Sequence, residues 1–300
     1  MQLGFIGLGK MGLNMVTRLI RSGKHDIVVY DPNKEAVTKA SIEGAAAASS
    51  MEELINKMDK PRAVWLMVPS GNPVDEVIEK MVPHLSEDDV IIDGGNSNYK
   101  DSVNRGKNLS ERGINFIDVG TSGGIWGLEM GYCMMIGGEK AVFERLRPVL
   151  KTLAPPDGYA YMGRVGSGHY VKMIHNAIEY GMLQAYAEGF ELLEASGFDL
   201  DLGEISSLWN HGSVIRSWLL ELTERVFKKN PRLEGIKAYI DDSGEGRWAV
   251  FDSIEKNVPC PVITHSLLYR LQSREEQLFA AKVIAALRNE FGGHKIEKGE

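Results

Sequence analysis

Leu3-Gly4-Phe5-Ile6-Gly7-Leu8-Gly9-Lys10-Met11-Gly12 decides how this chain folds. Residues 3–6 have the length and apolarity of a short buried strand, and the residues after them match G-x-G-x-x-G. A glycine-rich turn by itself says little. Here it leaves a strand pattern and opens a helical one over 13–22. A second strand, 26–30, then ends at Asp31, nineteen residues after Gly12. That full context is the fingerprint of a dinucleotide-binding βαβ unit. Gly7 permits the tight turn, Gly9 lets a pyrophosphate approach the backbone, and Gly12 allows close helix–strand packing. The helix N-terminus adds amide donors and a positive dipole end. Cofactor contacts are therefore expected from Gly7, Leu8, Gly9, Lys10, Met11 and Gly12. A carboxylate at Asp31 accepts hydrogen bonds from both ribose hydroxyls and repels a 2′-phosphate, which predicts NAD, with NADP a weaker second. Asp31 before Pro32 also suits a plain turn former.

Working outward, further apolar strands are expected at 63–68, 90–93, 115–118 and 133–136, with helices between them at 73–84 and 102–112. Strand and helix in alternation read as a parallel sheet covered on both faces. Three strand ends run into glycine-bearing loops: Val68-Pro69-Ser70-Gly71, Asp93-Gly94-Gly95-Asn96-Ser97 and Thr121-Ser122-Gly123-Gly124. Ligands of such folds sit at the carboxyl ends of the strands, so Val68, Pro69 and Asn96 join the expected cofactor contacts. After residue 163 helical periodicity takes over, at 168–196, 202–209, 214–228 and 274–291. The expectation is an N-terminal Rossmann-type, doubly wound α/β domain over 1–164 and an all-helical domain over 165–300. The boundary falls in the glycine cluster at 163–166.

Composition narrows the class. The 300 residues suggest two domains or one large one; they carry a net charge of −7, with 43% hydrophobic and 25% charged residues, ordinary for a soluble globular protein. That charge argues against wholesale nucleic-acid binding. Two cysteines, Cys133 and Cys260, make neither a disulfide framework nor a metal-ligand set, and no metal is expected. No apolar run reaches the length of a membrane span, and the strand pattern at Gln2 leaves no room for a signal peptide. A cytoplasmic protein is expected.

One helical segment stands out, Gly168 to Tyr180. Lys172, His175, Asn176, Glu179 and Tyr180 are spaced three, four, seven and eight residues from the lysine and share one face. The neighbouring Val171, Met173, Ile174, Ala177 and Ile178 are apolar. Burying an amine, an imidazole, an amide, a carboxyl and a phenol in one line is costly. A structural ion pair beside a satisfied histidine is one reading, and acid/base catalysis another. Lys172 and Glu179 are two turns apart, about 10 Å. That exceeds the reach of a helical pair but suits a base and an acid at two ends of a small substrate.

The glycine motif, Asp93-Gly94-Gly95-Asn96-Ser97, Ser122-Gly123-Gly124 and the Lys172–Tyr180 stripe together resemble the β-hydroxyacid dehydrogenases, and within them the 6-phosphogluconate dehydrogenases. Ile215-Arg216-Ser217 and Arg288-Asn289-Glu290-Phe291-Gly292-Gly293-His294 extend the resemblance over nearly the whole chain, in the family's short form. The resemblance implies oxidation of a sugar-acid C3 hydroxyl by hydride transfer to the nicotinamide, with Lys172 as the base. Carbon dioxide then leaves the 3-keto acid, and Glu179 protonates C1 of the enediol to give ribulose 5-phosphate, a step of the pentose phosphate pathway and of gluconate utilisation. It further implies that Asn96, Ser122, Gly123, Gly124, His175 and Asn176 orient the substrate. Tyr180, Arg216 and Arg288, with His294 beside them, hold the phosphate. In longer relatives the tail arginine and histidine come from a neighbouring subunit, which implies a homodimer or homotetramer. One stretch departs from the pattern: aligned on Trp248, Ser243 and Glu245 stand where longer members carry a phosphate-binding lysine and threonine. Either that loop lies elsewhere or Arg247 supplies the missing cation, and a less phosphorylated substrate stays open.

Two other readings are weighed. A 3-hydroxyacid dehydrogenase without decarboxylation keeps Lys172 but needs no acid at Glu179. A non-enzymatic NAD-binding protein would need neither.

Overall fold

The computed structural model describes residues 1–275 and 278–292. Eight strands form one sheet: β1 Gln2–Ile6, β2 Asp26–Tyr30, β3 Ala46–Ala47, β4 Ala63–Leu66, β5 Val90–Asp93, β6 Asn115–Ser122, β7 Cys133–Gly138 and β8 Tyr159–Gly163. Their order is β3-β2-β1-β4-β5-β6-β7-β8, and all neighbours are parallel except β6 and β7. The strand order reverses direction beside β1, which makes the crevice there the topological switch point of the fold.

The helices are α1 Lys10–Arg21, α2 Lys34–Glu43, α3 Met51–Asn56, α4 Asn72–Met81, α5 Tyr99–Ser110, α6 Gly127–Met130, α7 Lys140–Leu153, α8 Ser167–Glu194, α9 Leu202–Trp209, α10 Trp218–Lys229, α11 Glu245–Glu255, α12 Pro261–Gln272 and α13 Phe279–Gly292. The fold class matches the expectation of a doubly wound sheet followed by helices. The chain divides into two compact units, the first Met1–His175 and the second from Asn176 onward.

In the first unit the period of two in each strand sends alternate side chains to opposite faces. Leu3, Phe5, Val29, Trp65 and Ile92 pack with Met15 and Leu19 of α1 and Leu146 and Leu150 of α7. Ile6, Val28, Val64, Leu66 and Ile91 pack on the other face with Leu54 of α3, Met81 of α4 and Leu109 of α5. Each such fully buried side chain contributes about 1.5–3 kcal/mol. In the second unit Phe190 of α8 meets Phe227 of α10 and Trp209 of α9, with ring centroids 5.1 and 5.7 Å away.

Several elements differ from the expectation. The strand expected at 115–118 continues to Ser122, so Thr121 and Ser122 belong to β6 rather than to the loop after it. Its extra residues pair with the strand expected at 133–136, from Val119 opposite Ile136 to Ser122 opposite Cys133, but antiparallel, a direction that strand–helix alternation does not announce. β3 is two alanines and β8 is only partly buried, so neither carries the apolar run by which a strand is read. The helix expected from 214 begins at Trp218, where Ser217 caps it through the Leu220 amide. Likewise α13 starts at Phe279 rather than 274.

Candidate active site

The glycine motif folds as its spacing requires. Gly7 has φ of +96°, and a Cβ on it would lie 2.4 Å from the Met67 carbonyl oxygen. A Cβ on Gly12 would lie 2.1 Å from the Gly7 carbonyl oxygen. Both are therefore demanded by the protein's own packing. Gly9 is different: a Cβ there would meet nothing within 4 Å. It is the N-cap of α1, with no side-chain capping bond at the helix start. An uncapped helix start beside a vacant glycine fits the pyrophosphate of a dinucleotide. Gly9, Lys10, Asp31, Val68, Pro69 and Asn96 line one cleft of about 730 Å3.

Leu8 behaves otherwise. Its side chain is buried in the core, and its amide donates to Asp31 Oδ2 at 2.6 Å. Asp31 Oδ1 accepts from the Asn33 amide at 2.7 Å. Asp31 thus braces the glycine loop and forms the turn after β2 at once. Each carboxylate oxygen retains a lone pair for a ribose hydroxyl.

The strand-end loops are tied together by Arg105 of α5, a residue that local pattern did not single out. It donates to Asp75 Oδ1 at 2.7 Å, to the Gly71 carbonyl at 3.1 Å and to Asp93 Oδ2 at 3.4 Å. Asp93, fully buried, also accepts from Ser97 Oγ at 2.7 Å and the Gly95 amide at 3.1 Å. Burial pushes the Arg105 pKa down, but Asp75 and Asp93 outweigh it and raise the pKa above its ordinary value.

Lys172 sits on α8 where that helix docks on the sheet. Buried Asp118 of β6 caps the helix start, accepting from the Gly166 amide at 2.6 Å and the His169 amide at 2.8 Å. The fit depends on missing side chains. A Cβ on Gly120 would lie 2.4 Å from the Lys172 Cβ, and one on Gly168 would lie 2.4 Å from the Met135 carbonyl oxygen. Lys172 is 8% exposed. His169, one turn earlier and also buried, bonds Ser102 Oγ through Nδ1 at 2.7 Å. Ser122 and Gly123 are half-buried at the end of the same β6, while Gly124 and Asn96 are exposed.

Within the second unit, His175's successor Asn176 and Glu179 are half-buried along α8, and Tyr180 is buried. The guanidinium carbon of Arg270 lies 3.4 Å from the centre of the Tyr180 ring. Gly246 leaves the ring its space, since a Cβ there would come within 2.5 Å of it. Tyr180 Oη is 3.2 Å from Ser243 Oγ, which donates to Glu245 Oε2 at 2.6 Å. So the loop bearing Ser243 and Glu245 does meet Tyr180. Arg247 is engaged elsewhere, donating to Asp242 Oδ2 at 2.8 and 3.1 Å. Burial raises the Asp242 carboxyl, but Arg247 and the Gly244 amide more than offset it and hold its pKa below the ordinary value.

Arg216 is exposed in the segment between α9 and α10, and Arg288 is exposed on α13. His294 lies outside the described residues. Among the described residues, the cation seen over the Tyr180 ring is Arg270, ninety residues distant in sequence and on α12. Among the described residues no cluster of three or more histidine, cysteine or acidic side chains could hold a metal, and no helix is long and apolar enough to cross a membrane.

Comparison with known proteins fits this geometry. Residues 2–165 match the model for the NAD binding domain of 6-phosphogluconate dehydrogenase, and 168–298 match that for its C-terminal domain. A Bacillus subtilis protein, provisionally named a 6-phosphogluconate dehydrogenase, is 47% identical over 99% of this chain and 100% of its own length. An NAD(+)-dependent, decarboxylating 6-phosphogluconate dehydrogenase of Haloferax volcanii is 43% identical over 99% of both chains. The Plasmodium falciparum 6-phosphogluconate dehydrogenase, solved with NADP+ and with 6-phosphogluconate, superposes with a TM-score of 0.84 at 30% identity, covering 100% of this chain and 67% of that one.

Proposed function

This chain belongs to the 6-phosphogluconate dehydrogenase family, and on that premise we propose that it converts 6-phosphogluconate to ribulose 5-phosphate and carbon dioxide while reducing NAD, as a step of the pentose phosphate pathway. The observation that carries the reading is Lys172. It is buried on a helix that packs directly on Gly120, two residues before Ser122, so a lysine side chain leaves α8 beside the end of β6 where the substrate is proposed to lie. Bound NAD supplies the hydride acceptor. Lys172 takes the C3 hydroxyl proton as the hydride leaves C3. Its ammonium then donates to the C3 oxygen while the carboxylate departs as carbon dioxide, leaving the electron pair in the enediol. Glu179, two turns along the same helix, delivers a proton to the carbon that becomes C1 of the product.

Asn96, Ser122, Gly123, Gly124, His175 and Asn176 orient the hydroxyls and carboxylate. Arg270 with Tyr180 holds the phosphate, since a guanidinium suits it through forked bonds. NAD is preferred because the Asp31 carboxylate, which lines the cleft, would accept from the ribose hydroxyls and repel a 2′-phosphate, in line with the NAD(+)-dependent Haloferax relative. The second unit leaves Phe251 and Ile254 of α11 and Phe279, Ile284 and Leu287 of α13 exposed, which supports a homodimer or homotetramer.

One assay tests the reading. Protein, NAD and 6-phosphogluconate together should yield NADH and carbon dioxide in equal amounts. NADH without carbon dioxide would make it a simple 3-hydroxyacid dehydrogenase, and neither product a non-enzymatic NAD-binding protein.

A further inference from the structure

The order β2-β1-β4-β5 assigns the halves of a dinucleotide to different strand ends, an inference that rests on the NAD reading above. β2 leads to Asp31, β1 runs into the glycine loop, and β4 and β5 follow on the far side. With one ribose at Asp31 and the pyrophosphate over the end of β1, the second nucleotide half would lie over the ends of β4 and β5. Those strands stand about 5 and 10 Å beyond β1. The cleft wall there is made by two loops, Val68, Pro69 and Ser70 after β4 and Gly95 and Asn96 after β5. The loops touch, since a Cβ on Gly95 would lie 3.0 Å from the Val68 carbonyl oxygen.

Arg105 does not line this cleft. It lies in the groove between α4 and α5 and reaches both loops from there. It holds Asp75, in the first turn of α4, through paired bonds of 2.7 and 3.1 Å, and the Gly71 carbonyl at 3.1 Å. Its Nη1 donates to Asp93 Oδ2 at 3.4 Å. Asp93 accepts in turn from the Gly95 amide at 3.1 Å and from Ser97 Oγ at 2.7 Å. Both neighbours of Asn96 are thereby fixed to Asp93, and Asp93 to the start of α4. Arg105, Asp93 and Ser97 are all buried, where such bonds are stronger than in water. We propose that Arg105 is a positioning residue for the hydride-accepting half of the dinucleotide: by joining the 68–71 loop to Asp93 it sets the width of the cleft where the nicotinamide is received. The adenosine half is left to Asp31 and the glycine loop.

Calorimetric titration with NADH and with ADP separates the halves, because ADP carries the adenosine ribose and two phosphates but no nicotinamide. Arg105→Lys keeps the charge, but a single ammonium cannot make the paired bonds to Asp75 and also reach Gly71 and Asp93. It should raise the Kd for NADH by about tenfold and leave that for ADP within about twofold. Turnover of 6-phosphogluconate should fall by roughly 10- to 100-fold, since a misplacement of about 1 Å has that cost. Asp75→Ala removes the paired bonds at a side chain 49% exposed and spares the buried Asp93 contact, so folding is not at risk. It should show the same split at roughly threefold, and it decides alone if Arg105→Lys fails to fold. A merely structural Arg105 would lower stability and weaken NADH and ADP alike, or neither. Equal effects of either folded variant on the two ligands overturn the inference while the cofactor reading stands. Failure of the wild type to bind both ligands overturns the two together.

Discussion

The two proposed binding regions, one in each compact unit, are made in opposite ways. The cofactor end is a contiguous loop, Gly7 to Gly12, that works mainly through backbone amides and absent side chains. The phosphate end is assembled from side chains on α8, α11 and α12 and on the loop before α11, with Tyr180, Ser243, Gly246 and Arg270 spread over ninety residues. A backbone site is dictated by local spacing. A side-chain site is dictated by which helices pack together, so individual residues can be exchanged there while the packing persists.

Substitutions at the two ends should therefore fail differently. The largest effect is expected at the proposed base. Lys172→Ala should lower kcat by about 10²–10⁴-fold while NAD still binds, as calorimetry would register; comparable turnover would remove Lys172 as the base. At the cofactor end, Gly12→Ala drives a Cβ into the Gly7 carbonyl and should cost about 3 kcal/mol of stability by denaturant unfolding. Gly9→Ala, facing open space, should leave stability intact and weaken NAD binding by roughly tenfold, the loss of about 1.4 kcal/mol. Equal destabilisation by both would erase the distinction between a packing glycine and a ligand glycine.

At the phosphate end, Arg270→Ala should raise KM for 6-phosphogluconate by roughly 10- to 100-fold through lost charge-assisted bonds, with NAD affinity unchanged. If Arg216→Ala gave that result instead, Arg270 would be only a packing group. Asp31→Ala should narrow the preference for NAD over NADP by roughly tenfold and loosen the glycine loop it braces, seen in kcat/KM with each cofactor. The smallest effect is expected in acid. The folded Asp242 carboxyl has a lowered pKa, so its pairing with Arg247 stabilises the loop above the unfolded value of 3.8. That contribution should fade only as pH falls from there through the lower folded value. Asp242→Asn should remove this dependence from a thermal-unfolding profile.

The same contrast explains what was legible in the chain. Strand ends, glycine spacing and the face shared by Lys172 and Glu179 follow from periods of two and 3.6 residues and from sterics within a few residues. Those are properties of the chain's order, and they place the strands of the glycine-loop unit and the Lys172 helix, while ends shift by a few residues and the helices over 140–153 and 261–272 are not anticipated. β3, β8 and the extension of β6 had no apolar run of their own, because they exist through pairing with neighbours already in place. Arg105 bridging two loops and Asp118 capping α8 from another element join residues thirty or more positions apart. Arg270 over Tyr180 does the same across ninety. A nucleotide-binding fold and a lysine–glutamate helix thus follow from the linear sequence, because their physics is local. That Arg270 meets Tyr180, and that Ser243 stands by its hydroxyl, is decided only by folding, because a hydrogen bond or a stacked guanidinium depends on distances that only packing sets.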